Sequence, residues 1–222
     1  MKTGLVLEGG AMRGIYTAGV LDVFLEHGIH FDGVIGVSAG ALHGCSFVSE
    51  QKGRSLRYFK KYRNDKHFMS WWSFLHTGEV VGKQFCYHDI PERLDPFDYE
   101  AFVKSDTDFY ATCTNVETGK AEYIKITDML SQVDAMRASA SMPYVSKIVD
   151  YNGMKLLDGG CADSIPVEAF YKMGYERLVV VLTREAGFVK KPENAKMAEI
   201  RYHKYPEFVQ ALQNRHVVYN HS

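Results

Sequence analysis

The chain has 222 residues, of which 46% are apolar, and it carries 26 basic and 27 acidic side chains for a formal net charge of −1. This length and apolar content suffice for one sizeable hydrophobic core, so we predict a single domain over residues 1–222. The near balance of charge excludes a protein that relies on a basic surface to neutralise phosphates, and we predict no nucleic-acid partner. The four cysteines form no C-x-x-C pair and show no zinc-ligand spacing with histidines, which predicts a reducing compartment and no metal centre.

The N-terminus carries no recognisable targeting segment. Only three apolar residues, 5–7, precede Glu8, which is too short for the core of a secretory signal. No stretch approaches the roughly 18 consecutive apolar residues of a membrane-spanning helix. We therefore predict a cytoplasmic location.

The first fifty residues alternate between strand and helix patterns. Residues 5–7 and 34–37 are short apolar runs that end in small residues, which predicts two buried strands. Each is followed by a helical pattern, over 15–27 and 39–48. This alternation predicts an α/β fold, with a central, mostly parallel sheet sandwiched by helices.

The rest of the chain is less regular. Residues 50–106 are rich in aromatic and charged side chains without clean periodicity, and we interpret them as a cap-like insertion. Asn152-Gly153 is a strong hairpin dipeptide. The predicted elements of this part are strands at 109–115, 123–126, 148–150, 154–157 and 178–182, and helices at 129–140, 167–173 and 206–219. The sequence stops inside the last helical pattern, which leaves open whether it is truncated at the C-terminus.

The glycine-rich segment 8–14, EGGAMRG, joins the first strand to the first helix. A dinucleotide-binding fingerprint would place glycine at position 11, where this chain has Ala11, and no Walker lysine follows. The other interpretation is an oxyanion hole, because backbone N–H groups of a glycine turn before a helix favour developing negative charge.

A G-x-S-x-G pentapeptide follows the second strand, with Ser38 between Gly36 and Gly40. A serine at a sharp turn from strand to helix is typical of the nucleophile elbow of serine hydrolases. The two glycines allow the backbone segments to approach closely. The structural alternative is a serine that caps the following helix.

A nucleophilic serine needs a base. None of the histidines after Ser38 follows a predicted sheet strand, and each fits a surface or packing position better; they are His43, His67, His76, His88, His203, His216 and His221. Asp158 follows an apolar strand and precedes two glycines, and a partly desolvated carboxylate there would have a raised pKa suited to a base. An Asp-Gly turn without function is the alternative.

Three blocks of this sequence together resemble the patatin-like phospholipase family: LVLEGGAMRG at 5–14, GVSAG at 36–40 and DGGCADSIP at 158–166. The segments ATCTNVETGK at 111–120 and RASASMPYVS at 137–146 are also similar to that family, so the resemblance spans roughly residues 4–182. It implies a three-layer patatin-like architecture with an aromatic-rich cap segment. It also implies a lipid acyl hydrolase, phospholipase A-like, that needs no cofactor.

The resemblance implies site residues as well. Ser38 would be the nucleophile and Asp158 the general base of a dyad that forms an acyl-enzyme. The oxyanion hole would be the loop Gly9, Gly10, Ala11, Met12, Arg13 and Gly14, and the elbow glycines would be Gly36 and Gly40. The family often has a third glycine where Ala11 stands, and the backbone N–H survives that change. Arg13 would act at the site or form a structural ion pair, and Asp163 and Pro166 would be structural.

Two other functions stay open. The same site could serve a general small-molecule esterase or thioesterase, and the glycine loop could belong to a non-catalytic anion-binding α/β module. Acyl chain-length preference separates the first from a lipid hydrolase, and Ala11 counts against the second. The sequence makes no prediction of oligomeric state.

Residues 52–66 carry seven basic side chains and one acidic one, and the aromatic segment 67–78 follows. This pairing predicts peripheral contact with an anionic membrane surface, which would bring a lipid substrate to the site. A solvated helix beside an ordinary packed cap is the alternative.

Overall fold

The structure is a computed structural model that describes the backbone of residues 1–222 and every side chain except that of residue 195. Its centre is a seven-stranded sheet, as the alternating pattern predicted. The strands are β1 (Lys2–Leu7), β2 (Gly33–Val37), β3 (Asp108–Asn115), β4 (Ala121–Lys125), β5 (Val149–Tyr151), β6 (Met154–Asp158) and β7 (Tyr175–Val181).

The sheet has a parallel half and an antiparallel half. Its order is β5-β6-β3-β2-β1-β7, and β4 pairs with β3 in addition. Strands β7, β1, β2 and β3 are parallel, whereas β4, β5 and β6 pair antiparallel with their neighbours. The mostly parallel sheet predicted from the sequence is therefore confirmed.

The place of β6 follows from the register of β3. Residues 108–112 of β3 pair with β2, and residues 113–115 pair with β6. Because β4 already occupies the other edge of β3 at residues 110–114, β6 lies on the same edge as β2 and pairs with β3 beyond the point where β2 ends. The last residue of β6, Asp158, therefore lies beside the C-terminal end of β2.

Helices cover both faces of this sheet. The helices are α1 (Gly14–Glu26), α2 (Ala39–Val48), α3 (Arg54–Tyr62), α4 (Trp71–Thr77), α5 (Tyr99–Lys104), α6 (Val133–Ser139), α7 (Val167–Lys172), α8 (Ala195–Arg201) and α9 (Pro206–His221). Leu5 and Leu7 of β1 point into a core shared with α1 and α2. Val6 points the other way, against Phe170 of α7. This alternation of side chains produces the three layers.

The aromatic segment 50–106 is helical. It contains α3, α4, α5 and a π-type helical stretch, Phe85–Leu94. Phe59 and Phe68 form its own small core with Ile90. Buried Arg54 and partly exposed Arg57 both contact Asp95, which ties α3 to the end of the π-type stretch.

Other element predictions were close, with two exceptions. The helix predicted over 129–140 begins only at Val133, because the side chain of Asp128 accepts hydrogen bonds from the N–H groups of Leu130 and Ser131 and holds a turn there. The sequence did not predict α8.

Among the helices that the structure describes, none combines the length and apolar character that crossing a bilayer requires.

Candidate active site

The glycine loop and Ser38 meet at one edge of the sheet. The loop 8–14 follows β1, Ser38 follows β2 and Thr183 follows β7. Since these three strands are parallel, their C-terminal ends share one edge, which is where open α/β sheets place ligands. The register of β6 adds Asp158 to the same place.

Ser38 forms a strained turn between β2 and α2. Its backbone has φ of +54° and ψ of −123°, a region that L-residues rarely adopt. A Cβ added to Gly36 would lie 2.5 Å from the backbone of Ala41, and one added to Gly40 would lie 2.5 Å from the carbonyl of Leu7. Both elbow positions therefore require glycine, as the pentapeptide indicated.

Ser38 does not cap α2, because its side chain accepts no hydrogen bond from the helix N-terminus. Its own N–H donates instead to the hydroxyl of Ser139, at 3.0 Å. The Ser139 hydroxyl in turn donates to the carbonyl of Thr112, at 2.7 Å. Sequence reasoning missed this role of Ser139, although the residue lies in the segment 137–146 that resembles the family.

Asp158 is buried, with 6% of its surface exposed. Its Oδ1 accepts a hydrogen bond from the N–H of Gly160 at 2.8 Å, and its own N–H donates to the carbonyl of Ser141 at 2.9 Å. Burial raises the pKa of this carboxyl, while the nearby Ser38 hydroxyl, the Gly160 N–H and the charge of Arg215 partly lower that pKa. The structure thus brings Ser38 and Asp158 together.

The glycine loop lies against the serine. A Cβ added to Gly9 would lie 3.2 Å from the Cβ of Ser38. Among the described residues, the N–H groups of Gly9, Gly10 and Ala11 have no acceptor, so all three remain available as hydrogen-bond donors. Ala11 takes φ of +46°, the left-handed conformation that glycine would adopt without cost.

The six predicted loop residues do not all face the same space. Gly9, Gly10, Ala11 and Arg13 line the cavity beside Ser38. Met12 faces a separate groove between α1 and β7. Gly14 packs against Ala39 and His43 at the start of α1.

Among the described residues, no histidine forms a hydrogen bond with Ser38. His43 is buried on α2, where desolvation lowers its pKa to about 4, and its Nδ1 has no hydrogen-bond partner among the described residues. The other histidines after Ser38 are exposed or half-buried. Where they form hydrogen bonds or ion pairs, the partners are local groups such as Asp65, Glu92 or the carbonyl of Ile200.

Two cavities of opposite character meet at Ser38. The first is apolar and runs between α2, α6 and the cap; its lining includes Leu42, Tyr58, Phe59, Phe68, Tyr87 and Met136. The second is polar and runs between the glycine loop and the C-terminal segment; its lining includes Glu8, Arg13, Arg184, Lys190 and Arg215. Ala11, Ser38 and Met142 border both cavities. An ester with its carbonyl group held at Ser38 would therefore have its two substituents in different cavities.

The C-terminal segment is fastened to the glycine loop by the buried carboxylate of Glu8. This carboxylate accepts hydrogen bonds from the N–H and hydroxyl of Thr183, and from the hydroxyl of Tyr219 at 2.8 Å. The end of β7 and helix α9 are thereby held beside the site. Among the side chains that the structure describes, no group of three or more His, Cys, Asp or Glu is placed to hold a metal ion.

Comparison with known proteins identifies a family and several relatives of this chain. A family model described as patatin-like phospholipase matches residues 5–171. The protein YjjU of Escherichia coli is 29% identical over 203 residues, which cover 89% of this chain and 56% of that protein. Lysophospholipase NTE1 of Debaryomyces hansenii is 28% identical over 186 residues, and neuropathy target esterase sws of Drosophila melanogaster is 28% identical over 190 residues.

The chain spans only part of these relatives. The match to the yeast lysophospholipase includes 81% of this chain but 12% of that protein. The match to the fly esterase includes 80% of this chain but 12% of that protein. The similarity therefore concerns one region of much longer eukaryotic proteins. The segment of this chain that the family model matches, residues 5–171, contains the glycine loop, Ser38 and Asp158.

Proposed function

This chain belongs to the patatin-like phospholipase family, and from that premise we propose that it is a serine hydrolase of lipid acyl esters, phospholipase A-like, in which Ser38 and Asp158 form the catalytic dyad. The observation that carries the proposal is the position of Ser38 where an apolar and a polar cavity meet. An amphiphilic ester has this division of character, with an acyl chain on one side of the carbonyl and a polar alcohol on the other. The yeast relative is named a lysophospholipase, which supports the same class of substrate, and the fly relative is named an esterase, which supports ester hydrolysis.

Asp158 would act as the general base. The N–H of Gly160 holds its Oδ1, which leaves Oδ2 to take the proton of the Ser38 hydroxyl. The raised pKa of the buried carboxyl makes it a better proton acceptor than an exposed aspartate. As the proton leaves, the Ser38 oxygen attacks the ester carbonyl.

The carbonyl oxygen then carries the negative charge. The free N–H groups of Gly9, Gly10 and Ala11 would stabilise it, and one such donor typically contributes about 10²–10³ in rate. The alcohol leaves with the proton from Asp158, and the acyl group stays on Ser38. A water molecule gives a proton to Asp158, attacks the acyl-enzyme and releases the fatty acid, after which the proton returns to Ser38.

The proposal is tested by measuring ester hydrolysis across acyl chains of increasing length, with the wild type and Ser38→Ala side by side. We expect turnover that rises with chain length and falls by about 10³-fold or more in the variant. Turnover confined to short chains would indicate a general esterase. Absence of any Ser38-dependent turnover or serine-directed labelling would refute the hydrolase and favour an anion-binding module.

A second part of the proposal concerns membrane contact. Helix α4 exposes Trp71 and Leu75, at 70% and 80% of their surface. Helix α3, which precedes it in the chain, carries the exposed lysines Lys60 and Lys61. Lys66 lies 4.6 Å from the ring centre of Trp72, so charge and aromatic surface are adjacent. Phe68 and Met69, which precede α4, line the apolar cavity. We infer that this surface seats peripherally on anionic lipid and leads an acyl chain towards Ser38.

Sedimentation with lipid vesicles tests this surface. Binding to vesicles of phosphatidylglycerol should exceed binding to phosphatidylcholine and should weaken with salt. The pair Trp71→Ser and Leu75→Ser should reduce binding, whereas Met197→Ser and Ile200→Ser, at apolar residues that are also exposed but lie on α8, should not. Unchanged binding of the first pair would remove α4 from the interface.

A further inference from the structure

Strand β7 forms one edge of the sheet, and within the described residues no strand pairs with its outer side. It is seven residues long and contains most of an apolar run, 178–182, in which Val179, Val180 and Leu182 are exposed. Folded proteins usually protect an edge strand by shortness, charge or a cover, because its unpaired backbone groups attract further strands. The strand at the opposite edge, β5, has such protection, since it has three residues and carries the exposed Asp150.

The outer side of β7 presents the backbone groups of alternate residues. The carbonyl of Val181 accepts the N–H of Glu8 at 3.1 Å, so the backbone groups of Val181 are directed towards β1. Because consecutive residues of a strand direct these groups to opposite sides, those of Leu178, Val180 and Leu182 are directed at the open edge. Among the described residues, none of these three has a backbone hydrogen bond outside the pairing with β1. Donors and acceptors for another strand are therefore in place.

The groove beside this edge is also apolar. It lies between α1 and β7, where Tyr16, Val20 and Phe24 of α1 line it together with Val179 and Val181. The side chain of Tyr16 is exposed. The exposed apolar surface therefore continues from the edge strand onto α1, as expected for a protein interface rather than for a solvated edge.

The charges at the two ends of β7 are complementary to each other. Glu176 and Arg177 lie at its start, and Arg184 and Glu185 follow its end. All four are exposed, and none has an ion-pair partner among the described side chains. Arg184 lies over the ring of Phe188, at 4.2 Å, a contact that leaves its charge in place. When two copies of this strand run antiparallel, the start of each meets the end of the other.

We propose that this chain forms a homodimer in which the β7 strands of two copies pair antiparallel across a two-fold axis at Val180. In this register Val180 pairs with Val180 of the partner subunit, and Leu178 pairs with Leu182 of the partner subunit. These are the residues whose backbone groups are directed at the open edge, so each pair exchanges two hydrogen bonds. A two-fold interface uses the same surface of both copies, which the apolar edge and groove provide.

The same register also satisfies the charged ends of the strand. Glu176 lies opposite Arg184 of the partner subunit, and Arg177 lies diagonal to Glu185 of the partner subunit. Such cross-strand pairs of opposite charge favour one register over its neighbours. The two-fold axis is perpendicular to the sheet, so both α1 helices lie on one face and bring their exposed Tyr16 side chains towards the axis.

Sedimentation velocity at increasing protein concentration tests the proposal, and it needs no substrate. We expect the wild type to reach twice the mass of one chain. Glu176→Arg and Arg184→Glu each place like charges opposite one another at two symmetric positions, so each should raise the dissociation constant of the dimer about tenfold. The double variant that exchanges the two charges should restore the dimer. Asp106→Arg, at an exposed acid before β3 that has no ion pair among the described residues, is the matched control and should stay dimeric.

The charge exchange is diagnostic because the two residues lie at opposite ends of β7 in one chain, so only contact between copies joins them. A wild type that stays monomeric up to its solubility limit would overturn the proposal. A dimer that resists Glu176→Arg, or that the charge exchange does not restore, would also overturn it.

Hydrogen exchange identifies what covers the edge. The amides of Leu178, Val180 and Leu182 should exchange more slowly as the protein concentration rises. Val180→Lys, which places two lysines at the axis, should abolish this dependence while the far-UV circular dichroism stays unchanged. Protection of these amides in a monomer would mean that another segment of the chain covers β7, and that result would refute pairing with a second copy.

Discussion

Ser139 fixes the backbone of Ser38 through one hydroxyl group. That hydroxyl accepts the N–H of Ser38 at 3.0 Å and donates to the carbonyl of Thr112 at 2.7 Å, so it bridges the elbow and the neighbouring strand β3. Since the Ser38 N–H is used in this way, the proposed mechanism would take its oxyanion donors from the glycine loop and from Ala39, whose N–H has no acceptor among the described residues. Ser139 is thus a positioning residue for the proposed nucleophile.

Replacing Ser139 with alanine should loosen the elbow. The buried N–H of Ser38 loses its acceptor, which costs about 1–3 kcal/mol of folding free energy. We expect kcat to fall more than KM changes, because the position of Ser38 is altered while both cavities remain. Urea unfolding and steady-state kinetics measure the two effects. Ser141→Ala, which removes only a hydrogen bond to Arg137, is the control, and equal kinetic losses in the two variants would contradict the positioning role.

Replacing Asp158 with asparagine should abolish turnover and stabilise the fold. Burial raises the pKa of this carboxyl, so the folded state binds its proton more tightly than the unfolded state. The stability of the wild type therefore falls as pH rises through the range between the two pKa values, and the full penalty is present at neutral pH. Asp158→Asn lacks this penalty, so its Tm should exceed that of the wild type at pH 7, and the difference should shrink in acid.

The activity of the wild type should follow the same group. The pKa of the acidic limb in the pH profile of kcat/KM should lie above the usual pKa of an aspartate, about 3.9. Asp163→Asn is the matched control, since Asp163 is also largely buried but pairs with the hydroxyl of Tyr123 at 2.7 Å. Full activity in Asp158→Asn would refute the dyad and return the base role to the histidines.

The apolar cavity should set the chain length that the site accepts. Leu42 lies one helical turn after Ser38, with its N–H bonded to the Ser38 carbonyl at 3.1 Å, and it lines this cavity. Leu42→Trp should block the cavity near the nucleophile. Hydrolysis of long-chain esters should fall about tenfold or more relative to acetyl esters. The reason is that placing a long acyl chain against the added indole ring would cost binding free energy on the kilocalorie scale that is typical of overpacking. Leu25→Trp, at a half-buried leucine that lines neither cavity, should leave the ratio unchanged.

The sheet and the turn at Ser38 were predictable because local chemistry determines them. Glycine is required at positions 36 and 40 because a Cβ at either position would lie 2.5 Å from backbone atoms of another residue. The glycines of the pentapeptide therefore indicate the turn directly. The hairpin at Asn152-Gly153 is likewise local, with Asn152 at φ of +49° and Gly153 at +78°. Asp158 could be proposed as base because it ends an apolar strand.

Long-range features were not predictable. The bounds of the cap helices could not be predicted because their aromatic side chains do not mark one buried face. Phe59 points into the core of the cap, whereas Trp71 is exposed to solvent. The link from Ser139 to Ser38 joins residues 101 positions apart. The cations Lys190 and Arg215 reach the site through long-range contacts, because Glu8 and Asn220 hold the C-terminal segment and Arg215 donates to the carbonyl of Gly160. No local pattern encodes those contacts.

Replacing Ala11 with glycine tests the strain in the proposed oxyanion hole. Ala11 adopts φ of +46°, which costs an L-residue about 1–2 kcal/mol. Glycine removes this cost but adds about 0.4–1 kcal/mol of chain entropy in the unfolded state. We therefore expect Ala11→Gly to raise the free energy of unfolding by about 0.5–1 kcal/mol, with activity retained because the N–H remains. Glu50→Gly, at φ of +56° outside the site, is the matched control for stability. A loss of stability in Ala11→Gly alone would show that the Ala11 methyl group packs productively where the two cavities meet.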